Sequence, residues 1–232
     1  MSLILLKKIL SSSSWQKNII LTCVCSIEIC LWLFGRLYPM DSEIYFSLSS
    51  PIAIVGGSLP LMVLILAIYL KDTPLLEQTR VSKKLEFRAR LLLISLTSFV
   101  VAAIPIILSI LIALFSQKTY FLHIQIMVEI FIRHFMFLAT LGLIQYLGVL
   151  FLKNKYIIPI LIIASFGSLA FMPRYKFVEY LFIFVMPPVD GKGASVVPLF
   201  LLFSGLILLL MSLCYHLTMS QDNLGGTHDS RD

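Results

Sequence analysis

The sequence predicts an all-α integral membrane protein with six transmembrane helices, and two observations carry that prediction. The 232 residues are 59% hydrophobic and only 13% charged, with a mean hydropathy of +0.98, far from the balance of a soluble domain. Apolar runs long enough to cross a hydrocarbon core of about 30 Å, which takes roughly 20 helical residues, recur along the whole length. Residues 1–232 are therefore read as a single transmembrane domain with no separate soluble unit.

The first element expected is an interfacial helix over 1–17. Leu3, Ile4, Leu6, Ile9 and Leu10 surround Lys7 and Lys8 in a patch too short to span, and no small-residue cleavage site follows to mark a signal peptide. Six spans come next, at about 18–36, 51–70, 91–115, 120–152, 155–172 and 196–218. The fourth run is long for one crossing and must tilt or project beyond the bilayer. Between the fifth and sixth, Phe177 to Met186 is too short to cross and is ended by Pro187, Pro188, Gly191 and Gly193. The segment 176–195 is accordingly expected to dip into the outer leaflet and return.

An even number of spans puts both termini on one side. Placing them in the cytoplasm assigns twelve Lys and Arg to the inside and five to the outside, with Arg133 within a span, a clear positive-inside bias. The formal charge of +6 is thus a signal of topology, and no aromatic and basic surface suited to nucleic acid accompanies it.

One cytoplasmic loop, 71–90, concentrates charge. After Pro74, which suits a helix start, no further proline or glycine interrupts it, and Leu75, Leu76, Val81, Leu85 and Phe87 alternate with the charges. A helix there would have an apolar and a charged surface, as a docking element does. A plain solvated loop obeying the positive-inside rule is the competing reading.

Ionisable groups also lie within the spans: Glu28 in the first, and Glu129, Arg133 and His134 in the fourth. Such groups cost about 2.5 to 3.5 kcal/mol each on insertion scales and so face protein or water with a partner. Glu129 and Arg133 are four apart with the acid first, the favoured order for an intrahelical ion pair. The pair either pins span 4 to its neighbours or lines a substrate path. Glu28 has no partner nearby in sequence and could meet Arg133 across helices or face a cavity. Cys23, Cys25, Cys30 and Cys214 sit in apolar runs with no ligand spacing, and the histidines are scattered, so neither a metal site nor a catalytic centre is expected. Gly56, Gly57, Gly142, Gly148, Gly167 and Gly205 read as helix-packing positions.

The order TPLLEQTRVSKKLEFRARLLL resembles the segment after the second span in ABC-2 type transporter permeases. In that family it forms a coupling helix seated in a groove of the ATP-binding subunit. The resemblance assigns Glu77 to the family's glutamate, Thr79 to its threonine, Ser82 with Lys83 and Lys84 to its serine and basic residues, and Arg88 or Arg90 to the basic position before span 3, with Arg80 beside them. Gln78 stands where a glycine is common, and no proline precedes Ser82. The interfacial helix, the six spans, the long loop after span 2 and the hairpin before span 6 are similar in arrangement too.

The resemblance implies a permease subunit in a bacterial plasma membrane, working with a second permease copy or paralogue and two separate ABC ATPase subunits. ATP and Mg would bind those subunits, since this chain has no GxxxxGK[ST] loop and is not expected to be an enzyme by itself. It also implies export of a peptide or another amphipathic or hydrophobic substrate. The alternatives are an ion-coupled transporter or channel using Glu28, Glu129 and Arg133, and a non-transporting immunity or sensor subunit.

Overall fold

The computed structural model describes residues 57–70, 82–115, 124–152, 157–170 and 196–220. They form five α-helices in chain order: α1 Leu59–Tyr69, α2 Lys83–Phe115, α3 Ile124–Leu152, α4 Ile157–Ala170 and α5 Val196–Ser220. Three of them hold windows long and apolar enough to cross a membrane, Lys83–Ile107, Met127–Leu152 and Phe200–Ser220. The described part is thus all-helical and has the character of a membrane protein. The interfacial segment 1–17, the first span and the segment 176–195 lie outside the described residues.

Helices α3, α4 and α5 occupy the apolar runs expected of them. Helix α2 differs, because it begins at Lys83 and not near residue 91. The polar turns Lys83 to Arg90 contain good helix formers and no breaker, Glu86 in the first turn complements the helix dipole, and the Ser82 carbonyl accepts from the amides of Leu85 and Glu86. Residues 83–90 are therefore continuous with the apolar part of α2. Pro105 lies inside α2, where it removes one ladder bond, and the helix runs on past it.

Helix α3 is the centre of the bundle: 56% of its apolar window is buried inside the protein, against 17% for α5. It runs antiparallel to α2. Arg90 near the start of α2 lies over Tyr146 near the end of α3, while Phe99 meets Phe131 edge-on at 5.2 Å farther along. It runs parallel to α5, since Tyr146 meets Thr218 and Leu143 meets Cys214. The starts of α2 and the ends of α3 and α5 therefore share one end of the bundle, hereafter the basic end.

A close approach sets the α1, α2 and α3 contact. A Cβ at Gly142 would come within 2.7 Å of both Ile94 Cγ2 and Met62 Cε, and one at Gly148 within 2.5 Å of Ile158. Small residues let helix backbones approach where lipid supplies no hydrophobic drive. Gly205 differs from that expectation, for a Cβ there meets nothing within 4 Å among the described residues.

Inside hydrocarbon, polar side chains must be satisfied locally. Thr97 and Ser98 donate to the carbonyls of Leu93 and Ile94, and Thr140 to that of Met136, each one helical turn back. The Gln145 amide donates across helices to the Val63 carbonyl at 2.9 Å, fixing α1 on α3. Leu201, Leu202, Leu208 and Leu209 of α5 are exposed, a surface that suits lipid and would be a liability in water.

Candidate functional site

The basic end of the bundle brings together the densest set of polar contacts among the described residues. Arg90 is 7% exposed, and its guanidinium is paired with the Glu86 carboxylate one turn earlier. The same guanidinium lies 5.4 Å from the centre of the Tyr146 ring, within cation–π range. Tyr146, fully buried, shares a 3.0 Å hydrogen bond with the Thr218 hydroxyl. The Thr218 hydroxyl donates its only proton to the Cys214 carbonyl at 2.7 Å, so Tyr146 is the donor to Thr218. Phe87 completes the contact, 5.3 Å from Tyr215 in an edge-on geometry and 6.5 Å from Tyr146.

This arrangement joins three helices by one line of contacts, from the Glu86 carboxylate through a cation and a ring to a hydroxyl on α5. It fixes the relative position of helix ends.

The surface beside it is cationic. Ser82, Lys84 and Arg88 are exposed and Lys83 is half-buried, all on the first two turns of α2. Of the two arginines that could fill the basic position before span 3, Arg88 faces out and Arg90 faces in. Glu77, Thr79 and Arg80, and Glu28 in the first run, lie outside the described residues.

The intramembrane set of α3 lies toward the opposite end. Glu129 and Arg133 form the ion pair their spacing predicts, with Arg133 at 5% and the Glu129 side chain at 22% exposure. His134 is 1% exposed, and neither ring nitrogen has a hydrogen-bond partner among the described residues. No three His, Cys, Asp or Glu side chains converge among the described residues in a way that could hold a metal ion.

Sequence reasoning did not single out Glu86, Tyr146 or Thr218, and read Cys214 only as a cysteine in an apolar run. Glu86 and Arg90 have the same acid-first spacing as Glu129 and Arg133 and were legible on that ground. Nothing local to Tyr146 or Thr218 signals that they meet, because 72 residues separate them. Comparison with protein-family models, with curated proteins and with solved structures finds no match to this chain.

Proposed function

We propose that this chain is the membrane-spanning permease subunit of an ABC-2 type transporter, exporting a peptide or another amphipathic or hydrophobic substrate with energy from a separate ATPase. The working unit is two permeases, a second copy or a paralogue, with two ATPase subunits carrying ATP and Mg, in a bacterial plasma membrane with both termini in the cytoplasm. The observation that carries the reading is the continuity of α2: the exposed cations Lys84 and Arg88 belong to the same helix as the third span. A partner gripping the segment 77–90 would hold one end of a lever about 50 Å long. ATP binding closes the ATPase dimer, and the closed state is favoured by the nucleotide's higher affinity for it, which displaces the lever.

Co-expression with an ABC ATPase encoded beside this chain tests the proposal. The native chain captures the ATPase through purification, and a chain with Glu77→Ala, Arg80→Ala, Lys84→Glu and Arg88→Glu loses at least nine-tenths of it. Undiminished capture by that variant, or none by the native chain, overturns the reading.

One observation favours a second reading. His134 is buried next to Arg133 of the Glu129–Arg133 pair, with neither ring nitrogen hydrogen-bonded among the described residues, as a proton- or ion-coupled transporter would need. Such a protein loses transport on Glu129→Gln or His134→Leu and tolerates the changes to the 77–90 segment.

A further inference from the structure

A groove of about 370 Å³ lies between α2, α3 and α5, walled by Leu91 and Ile94, by Ala139 and Leu143, and by Ile207 and Met211. Its position relative to the polar contacts follows from the chain. Arg90 directly precedes Leu91, Tyr146 is three residues beyond Leu143, and Cys214 is three beyond Met211. At a rise of about 1.5 Å per residue, the polar cluster begins about 1.5 Å beyond the groove on α2 and about 4.5 Å beyond it on α3 and α5, toward the basic end on all three walls. Arg90, Tyr146, Cys214 and Thr218 are each at most 7% exposed, so in this conformation that end is shut.

We propose that the contacts linking Glu86, Arg90, Tyr146 and Thr218 are a gate that closes the basic end of this groove, with α5 as its moving leaf. The inference goes beyond the permease reading and rests only on contacts within this chain. Helix α5 is the leaf because it is the least buried of the three, with 17% of its apolar window covered. Among the described residues, the polar and ring contacts of its end at the gate are one hydroxyl pair, one edge-on ring contact and a weak thiol-to-carbonyl contact, from Cys214 to Leu143 at 3.8 Å, beside the apolar packing of Leu210 and Met211. The Glu86–Arg90 pair lies within α2 and stays intact when α5 leaves, so opening separates Tyr146 from Thr218 without stranding a charge.

Cys214, fully buried in the gate, reports its state directly. The full chain in proteoliposomes is treated with N-ethylmaleimide, and modification at Cys214 is followed by peptide mass mapping, which separates it from Cys23, Cys25 and Cys30. The native thiol reacts slowly. Tyr146→Phe and Thr218→Val, which each remove one hydroxyl and keep the side-chain size, raise the Cys214 rate at least fivefold. Gln145→Leu, adjacent in sequence but bonded to α1, leaves it within twofold of native and separates gate opening from general loosening. The proposal is overturned if neither hydroxyl variant reaches a fivefold increase, if Gln145→Leu raises the rate as much as they do, or if the native thiol reacts as fast as in detergent-denatured protein.

Discussion

The Arg90 guanidinium lies over the Tyr146 ring while remaining paired with Glu86, so one cation serves two helices. Removing only the cation leaves a carboxylate, its side chain 14% exposed, with no counter-charge from that arginine. Breaking one side of a buried pair typically costs about 3 to 5 kcal/mol, whereas neutralising both sides costs far less. Arg90→Gln should therefore lower the unfolding midpoint in detergent strongly, and Glu86→Gln with Arg90→Gln should recover most of the loss. Equal midpoints for the single and double variants would show that the pair is not what stabilises that end.

Helix approach at Gly142 supplies a contrast within one protein. An added methyl there meets Ile94 and Met62 at 2.7 Å, and overpacking of this kind costs about 1 to 3 kcal/mol. Gly205→Ala meets no described neighbour and gains helix propensity, so it should be neutral or stabilising by up to about 1 kcal/mol. Thermal unfolding of the two variants in the same detergent checks the opposite signs.

Gln145 is half satisfied. Its amide nitrogen bonds the Val63 carbonyl, and its buried oxygen has no partner among the described residues. Gln145→Leu loses an interhelical bond worth about 0.6 kcal/mol on average in membranes and at the same time removes an orphaned acceptor. The two effects nearly cancel, and the change in stability should stay within about 1 kcal/mol. Gln145→Glu loses the donor and adds a charge, and should abolish recovery of folded protein.

The outer pair is measurable by a double-mutant cycle. Glu129→Leu, Arg133→Leu and the combined variant should give a coupling of about 0.5 to 3 kcal/mol, because the two side chains are in contact and one is buried. His134→Leu replaces a buried ring with no hydrogen-bond partner among the described residues by an apolar group and should be neutral or stabilising. If His134→Leu is stable yet ends transport, His134 acts on a ligand or proton and not on the fold.

Much of the helical layout was legible in the sequence, because an apolar run and its breakers mark a membrane helix from both sides. The run 155–172 becomes Ile157–Ala170, and 196–218 becomes Val196–Ser220. The start of α2 was not legible, since hydropathy marks where hydrocarbon begins and not where a helix does. Lys83 to Arg90 are polar and still helical. For the same reason Arg90 was grouped with the charged loop, although the rotation of the helix buries it and exposes Arg88. The Glu129–Arg133 pair could be read from spacing four, whereas Tyr146 with Thr218 depends on the parallel packing of α3 and α5, which no local pattern encodes.

The tight contact at Gly142 is not at the middle of α3. Leu152 ends the helix ten residues to one side of it and Ile124 begins it eighteen to the other, or about 15 Å against 27 Å of helix. On α2 the same contact falls at Ile94, eleven residues from Lys83 and twenty-one from Phe115, so with that contact as the fulcrum a tilt sweeps the far end of either helix about twice as far as the basic end. A displacement applied at Lys84 would thereby be about halved at Phe99, five residues past Ile94, and about doubled only at the far end of α2.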